Sequence, residues 1–268
     1  MNVSEQVMND SVKPHGPEIR GILFDKDGTL FDFRRTWLPI LLAAAEKTAG
    51  GNKALAKDLV MAGGYDPDSD RFDASGPIAA GNAADMADAW RKVLLRYGWR
   101  DREASSGDTG DTPVIPNRKE LMNRLDAASR ETGVTQSVPV TDLHALFSRL
   151  HTAGLTLGLA TSDSEEAARA SLSRERVAPF FSVVTGYDSP GAAKPSADVV
   201  YNFCRQTGLE TGVVLVVGDT WHDIDMAKAA GARSVAVLTG AIEREALEPY
   251  ADVVLSSIAE LPEHLGIQ

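Results

Sequence analysis

The sequence contains a single cysteine, Cys204, so no disulfide bond can form within the chain. This excludes a disulfide framework and fits a reducing compartment. Long hydrophobic runs are also missing. The longest one, residues 37–45, is interrupted by Pro39 and is too short to span a bilayer. Residues 1–18 contain no apolar signal core, and we therefore expect a cytoplasmic protein with no membrane partner.

Positive charge is also in short supply. Lysine and arginine number 27 against 38 aspartate and glutamate residues, which gives a formal net charge of −11. Such a protein repels the phosphates of nucleic acids and anionic membrane surfaces, so we expect no nucleic-acid partner. A small phosphorylated ligand would need a local positive centre that overcomes this overall field.

The hydrophobic pattern divides the 268 residues into segments of different kinds, and the length suggests about two domains. Residues 1–18 are polar and are predicted to be a poorly ordered lead-in. Residues 19–24 form an apolar run rich in strand formers, which predicts a buried strand. Helical periodicity then follows, with no strand predicted between the helices, over residues 36–49, 53–62, 84–97 and 118–131.

From Thr141 onward, predicted helices and strands alternate. Helices are predicted from a cap at Thr141 to about Ala153, from Ser164, over 196–207 and over 223–230. Strands are predicted at 155–160, 181–185, 213–217, 234–238 and 252–255. This alternation indicates an α/β fold with a Rossmann-like parallel sheet and helices on both faces.

The first predicted strand is separated from the others by a long helical stretch, and the economical interpretation is an insertion. We therefore predict a core made of residues 19–33 and 141–268, with an all-helical cap, residues 34–140, inserted between them. Ligands of open parallel sheets bind beyond the carboxyl ends of the strands. The polar clusters of this sequence lie at those ends.

Acidic residues follow two of the predicted strands. Asp25 and Asp27 come after the first strand, and Asp219 and Asp223 follow the strand at 213–217. Carboxylates crowded at one place repel each other unless a cation joins them, and hard oxygen ligands of this kind suit Mg²⁺. The ordinary alternative is that these aspartates form turns and cap helices.

Two further polar groups stand at such positions. Thr161 and Ser162 come after the strand at 155–160, where hydroxyls and free N–H groups at a helix start can seat a phosphate. A plain helix cap is the alternative for this pair. Lys194 precedes Pro195, which is expected to open the next helix. Lys194 is either a solvated loop charge or the local positive centre that a phosphate ligand requires.

The order of these clusters is more specific than any one of them. Asp-x-Asp-Gly-Thr begins at Asp25, Thr-Ser at Thr161, Lys-Pro at Lys194 and Gly-Asp-x-x-x-Asp at Gly218. In this order the sequence resembles the haloacid dehalogenase superfamily, and within it the phosphoglycolate-phosphatase-like phosphatases with a helical cap inserted after the first motif. The resemblance covers residues 19–255.

The resemblance implies a role for each matched residue. Asp25 would be the nucleophile that attacks phosphorus and forms an aspartyl-phosphate. Asp27 would protonate the leaving oxygen and then take a proton from the hydrolytic water. Thr161 and Lys194 would bind phosphate oxygens, with Ser162 beside them, and Lys194 would also keep Asp25 ionised. An aspartate at position 27 favours phosphate esters over carbon–halogen or carbon–phosphorus bonds.

The resemblance also implies a Mg²⁺ cofactor and a small phosphorylated metabolite as substrate. The metal would be held by Asp25, the backbone carbonyl of Asp27 and Asp219, with Asp223 binding directly or through water. A sugar phosphomutase of the same superfamily and a catalytically silent binding protein are the alternatives. Both a monomer and a homodimer are compatible with the sequence.

Two positions near the first motif fit the family pattern less well. Lys26 stands where relatives often have an apolar or aromatic residue. We expect its side chain to reach solvent, and the alternative is that its charge biases the phosphate pocket. Arg34 and Arg35 follow at the expected hinge into the cap. They are either solvated charges or contacts for a carboxylate or a second phosphate of the substrate.

Overall fold

The structure is a computed structural model, and it describes residues 18–79, 83–100, 113–117, 119–121, 123–124, 137–191 and 193–267. Most of the predicted lead-in therefore lies outside the described residues. So does most of the predicted helix at 118–131, of which residues 119–121 and 123–124 are helical.

Strands and helices alternate through the second half of the chain, as the sequence predicts. The strands are β1 (Gly21–Phe24), β2 (Tyr65–Asp66), β3 (Arg71–Phe72), β4 (Thr156–Ala160), β5 (Phe181–Thr185), β6 (Val214–Gly218), β7 (Arg233–Val237) and β8 (Val253–Leu255). The helices are α1 (Phe33–Ala49), α2 (Lys53–Ala62), α3 (Ala83–Arg96), α4 (Leu143–Thr152), α5 (Glu165–Arg174), α6 (Asp198–Thr207), α7 (Trp221–Ala230), α8 (Arg244–Leu247) and α9 (Leu261–His264). None of the described helices is both long and apolar enough to cross a membrane.

Six strands form one parallel sheet in the order β5-β4-β1-β6-β7-β8. β1 lies in its interior, and all four of its residues are buried. Strands covered on both faces need continuous apolar runs, which explains the sequences of β1 and β6. In the register, Phe24 stands opposite both Leu159 and Val217, so β4 and β6 each end one residue beyond β1.

Helices cover both faces of this sheet because successive strand residues point to opposite sides. Ile22 and Phe24 belong to a hydrophobic cluster with residues of α4, α5 and α9, and Phe24 meets Phe147 edge-on at 5.5 Å. Leu23 points the other way, into a cluster with Phe203 of α6 and residues of α7. The predicted Rossmann-like parallel fold is confirmed.

Several helix starts differ from the prediction by one or two residues. The cap of α4 is Asp142 rather than Thr141, because the Asp142 side chain accepts the N–H of Ala145 at 2.9 Å. Pro195 does not open α6, which begins at Asp198 after a turn.

The described part of residues 34–140, called the insert below, has its own hydrophobic core. Trp90 of α3 is completely buried there among residues of α1 and α2. The expectation of an entirely helical insert is wrong in one place. β2 and β3 form a small antiparallel ribbon in which Tyr65 pairs with Phe72. Strands of two residues are too short to give the alternating pattern by which a strand is predicted.

The chain leaves the sheet and returns to it side by side. The N–H of Asp32 donates to the carbonyl of Val138 at 2.8 Å, and the N–H of Val140 donates to that of Leu30 at 3.0 Å. Phe31 and Pro139 form an antiparallel bridge between the two crossings. The predicted ends of the insert, at 33/34 and 140/141, lie next to this pairing.

Candidate active site

The carboxyl ends of the central strands bring together residues that are far apart in sequence. Asp25 directly follows β1, and its N–H continues the sheet ladder to the carbonyl of Val217 at 2.8 Å. Asp219 directly follows β6, and Thr161 directly follows β4. Because these three neighbouring strands are parallel and end within one residue of one another, their next residues meet at one edge of the sheet.

Three carboxylates converge there, as the sequence predicts. Asp25, Asp219 and Asp223 each offer an oxygen atom, and these oxygens all lie within 4.8 Å of one another. The three residues are 8%, 3% and 1% exposed. We call them the carboxylate cluster.

Asp223 belongs to the cluster and to the start of α7 at once. Its Oδ2 accepts hydrogen bonds from the N–H and the hydroxyl of Thr220, at 3.2 and 2.7 Å, in a capping box. Gly218 makes room for this arrangement, because a Cβ there would lie 2.1 Å from Asp223 Cγ. The capping role predicted as the alternative therefore coexists with a place in the cluster.

Asp219 is enclosed by two glycines. A Cβ at Gly28, whose φ is +84°, would lie 2.3 Å from Asp219 Oδ2, and a Cβ at Gly240 would lie 1.9 Å from the same atom. The hydroxyl of Thr239 donates to the carbonyl of Gly28 at 2.6 Å and so joins the loop after β1 to the loop after β7. The sequence analysis missed Thr239 and Gly240. Their position directly beyond the strand at 234–238 is the signal that points to them.

Lys194 supplies positive charge to the cluster. Its Nζ lies 2.5 Å from Asp25 Oδ1 and 2.5 Å from Asp223 Oδ1, and its side chain is 6% exposed. Burial alone lowers the pKa of a lysine, but Asp223 and Asp25 together raise the pKa of Lys194 above its ordinary value. Lys194 is therefore a buried cation and not a solvated loop charge.

The cluster carries more negative charge than Lys194 can neutralise. Burial raises the pKa of Asp25 to about 6, with Lys194 opposing the rise and Asp223 adding to it. Burial, Asp25 and Asp223 also raise the pKa of Asp219 well above its ordinary value. Three ionised carboxylates beside one ammonium leave two negative charges in excess.

A divalent cation fits this excess charge. Asp223 Oδ1 is buried and makes no well-aligned hydrogen bond with the described residues, although Lys194 Nζ is near. The donor set consists of oxygen atoms only, which Mg²⁺ prefers over nitrogen and sulfur ligands. His222, between the two late aspartates, is exposed.

Asp27 points to a different partner. Its Oδ2 lies 2.6 Å from Nζ of Lys26, which also lies 2.9 Å from Asp163 Oδ2. Burial raises the pKa of Asp27, Lys26 opposes the rise, and Asp163 adds to it. The expectation that Lys26 reaches solvent is wrong, since the residue is 3% exposed. The turn around Gly28, where the Lys26 carbonyl accepts the N–H of Leu30 at 2.9 Å, folds the chain back toward the sheet edge.

Thr161 and Ser162 differ in burial. Thr161 is buried, and its hydroxyl accepts the N–H of Asp163 at 3.1 Å. Ser162 is exposed, and α5 is capped by Ser164 instead. The pair is therefore not the helix cap.

Residues flanking the site are already engaged within the protein. Arg34 donates to the carbonyl and the carboxylate of Asp70 and to the Tyr65 hydroxyl, so it lies against the β2–β3 ribbon. Trp221 packs, together with Ala74 of the insert, against a small hydrophobic cluster beside the sheet.

Comparison with known proteins identifies the family of this chain. A family model for haloacid dehalogenase-like hydrolases matches residues 19–231. The chain belongs to this family. It is similar to the phosphoglycolate phosphatase of Escherichia coli strain K12, with 30% identity over 260 residues that cover 93% of this chain and 94% of that protein. The predicted class of enzyme is confirmed, and this hydrolase is a phosphoric monoester hydrolase.

Solved structures of the family share the fold of this hydrolase. A putative HAD-hydrolase from Bacillus subtilis bound to magnesium has a TM-score of 0.63 at 17% identity, covering 93% of this chain and 100% of the other. A putative beta-phosphoglucomutase from Thermotoga maritima has a TM-score of 0.62 at 16% identity, covering 92% and 99%. At these identities the likeness concerns the fold alone.

Proposed function

We propose that this hydrolase is a Mg²⁺-dependent phosphatase that hydrolyses a small phosphate monoester through an aspartyl-phosphate on Asp25. The observation that carries the proposal is the placement of Lys194 between Asp25 and Asp223 within the carboxylate cluster. A carboxylate can attack an anionic phosphate only where positive charge is concentrated. Lys194 supplies part of that charge, and a divalent cation held by the carboxylate cluster would supply the rest.

Asp25 attacks phosphorus in the first step while the bond from phosphorus to the ester oxygen breaks, and the bonding electrons stay on that oxygen. Asp27 gives the leaving oxygen its proton. In the second step Asp27 takes a proton from water, whose oxygen attacks the phosphoryl group and releases inorganic phosphate and the free Asp25 carboxylate. Lys194 keeps Asp25 ionised between turnovers.

Asp25, Asp219 and Asp223 are the side chains that would hold Mg²⁺, together with the backbone carbonyl of Asp27. When bound, the ion neutralises the charge of the phosphoryl group. Thr161 and Lys194 bind the phosphate oxygens, and the exposed Ser162 is assigned to the outer side of the same pocket.

We assign residues 34–140 to a cap over this site, with residues 19–33 and 141–268 as the catalytic core. The two crossings that pair Asp32 with Val138 bring both ends of the cap together beside β1. A cap that closes excludes water while Asp25 attacks phosphorus. The structure of the Bacillus subtilis relative is described as revealing interdomain movement.

The similarity to phosphoglycolate phosphatases makes phosphoglycolate the first substrate to test. Sugar phosphates and nucleoside monophosphates complete the panel, and phosphate release is measured with and without Mg²⁺. We expect Mg²⁺-dependent release that is abolished in Asp25→Asn. Asp225→Asn is the matched control, because Asp225 is an exposed residue of α7.

Isomerisation of a sugar phosphate without phosphate release would replace the phosphatase by a mutase, the activity named for the Thermotoga maritima structure. If the protein neither hydrolyses nor isomerises any monoester, both enzyme hypotheses are contradicted and the catalytically silent binding protein is favoured. The same hypothesis includes a cytoplasmic location and a small phosphorylated metabolite as the sole class of partner. It allows either a monomer or a homodimer.

A further inference from the structure

A buried lysine that the proposed mechanism does not use lies beside Asp27. Lys26 Nζ lies 2.6 Å from Asp27 Oδ2 and 2.9 Å from Asp163 Oδ2, and the Lys26 side chain is 4% exposed. Burial alone lowers the pKa of Lys26, but Asp27 and Asp163 together raise it above its ordinary value. Lys26 is therefore a buried ammonium with two anionic partners.

The apolar and backbone contacts of Lys26 do not require a charged side chain. Its Nζ lies 5.7 Å from the ring centre of Phe31, and its backbone carbonyl is held by the N–H groups of Leu30 and Phe31. An apolar side chain of similar length would fill the space beside Phe31 without desolvating an ammonium. Packing therefore does not explain the lysine, whereas its contact with Asp27 does.

Asp163 fixes the other side of the lysine. Its N–H donates to the hydroxyl of Thr161 at 3.1 Å, and its carbonyl accepts the N–H of Tyr187 at 2.9 Å. The backbone of Asp163, in the loop that follows β4, is thus also tied to the segment that follows β5, while its carboxylate reaches Lys26. Lys26 connects this loop to the turn that carries Asp27.

We propose that Lys26 is a positioning residue that holds the Asp27 carboxyl group in the orientation needed for proton transfer. The inference rests on the phosphatase function proposed above, in which Asp27 protonates the leaving oxygen as the ester bond breaks. Lys26 itself exchanges no proton and touches no substrate. It fixes Oδ2 of Asp27 from the side of the Thr161–Asp163 loop, so that the carboxyl group does not rotate away between the two steps.

The leaving group provides the test. An alkoxide is a poor leaving group and needs a proton from Asp27, whereas 4-nitrophenolate leaves readily without one. The ratio kcat/KM reports the first step, in which the ester bond breaks, whereas the second step acts on the same aspartyl-phosphate for every substrate. In Lys26→Met we expect kcat/KM for an alkyl phosphate to fall about 100-fold, and kcat/KM for 4-nitrophenyl phosphate to fall less than about 3-fold. Lys26→Arg keeps the charge and is expected to restore most of kcat/KM for the alkyl phosphate.

Three further variants make the result decisive. Asp27→Asn is the reference for a lost proton donor and should show the same selective loss. Asp163→Asn changes a side chain that is 45% exposed and should show a smaller loss of the same kind. It also tests the proposal if Lys26→Met does not fold. Lys228→Met, at an exposed lysine of α7, is the control for loss of a lysine elsewhere.

Equal losses of kcat/KM on both substrates in Lys26→Met and Asp163→Asn, or no loss on either, would overturn the positioning role. If Asp27→Asn keeps its selective loss of kcat/KM in that case, the phosphatase proposal stands. If Asp27→Asn shows no selective loss, the acid role of Asp27 and the inference fail together. If the wild-type protein releases phosphate from neither ester, the proposed function itself is wrong.

Discussion

Gly240 approaches Asp219 so closely that a single methyl group at Gly240 would lie 1.9 Å from Asp219 Oδ2. No side chain fits between them, so the backbone beyond β7 fixes where the Asp219 carboxylate points. Residues that orient a metal ligand typically change metal affinity by about 10- to 100-fold when mutated.

Gly240→Ala is therefore expected to lower Mg²⁺ affinity by about 10-fold or more, because the new methyl group displaces Asp219. Mg²⁺ titration by calorimetry measures the effect. The control is Gly212→Ala, since a Cβ at Gly212 meets nothing within 4 Å. Unchanged Mg²⁺ affinity in Gly240→Ala would show that Asp219 does not hold the ion.

The stability of the metal-free protein should depend on pH through Asp25. Its pKa in the folded protein is about 6, above the ordinary value of 3.8, so the folded state binds more protons than the unfolded state between these values. The contribution of Asp25 to the free energy of unfolding therefore falls as pH rises from about 4 to about 6. Asp219, with a pKa also raised, acts in the same direction.

Mg²⁺ should reverse this loss, because metal binding requires ionised carboxylates. We expect the increase in Tm produced by Mg²⁺ to be larger at about pH 8 than at about pH 5. Thermal melts with Mg²⁺ or with a chelator at both values measure it. An increase that is equal at both values, or larger in acid, would contradict a site made of these carboxylates.

Removal of Lys194 should affect chemistry and stability in different ways. Lys194→Met leaves Asp25 and Asp223 without their shared cation, and we expect kcat to fall by about 100-fold or more. The metal-free protein should also melt at a lower temperature, since a buried charge without its partner is destabilising. Mg²⁺ should restore part of the Tm but not the activity. Full activity in Lys194→Met would show that Lys194 has no part in the mechanism. Lys228→Met is the control for loss of a lysine elsewhere.

The separate core of the insert can be tested at Trp90. This side chain is completely buried, and Trp90→Ala should destabilise its surroundings by about 3–5 kcal/mol. If the insert is a domain, amide hydrogen exchange should accelerate in α1, α2 and α3 but not in β1, β4 and β6. Acceleration spread evenly over both regions would show that the chain is one cooperative unit.

The sequence predicts the acidic half of the site well, because the local pattern is sufficient. Asp25 and Asp219 each follow an apolar run that ends abruptly, and parallel strands place such residues at one edge. The helix that begins near Asp223 was predicted for the same local reason. The strand order and the register did not need to be known.

The position of Lys26 could not be predicted, because it is decided by residues distant in sequence. Seen locally, a lysine after a buried strand is expected to reach solvent. Here Asp163, from the loop beyond β4, supplies a second carboxylate that keeps the ammonium inside. The sequence places Gly240 just beyond a predicted strand, but its close approach to Asp219 exists only in the folded protein.

The hydrogen bond between Asp32 and Val138 joins two points that are far apart along the chain. The chain therefore enters and leaves the insert at neighbouring points beside β1. If the insert is the cap proposed above, exchanging it between related enzymes is expected to change which alcohol is accepted while Asp25 and Lys194 keep their places. A new substrate would then require no new chemistry at the sheet edge.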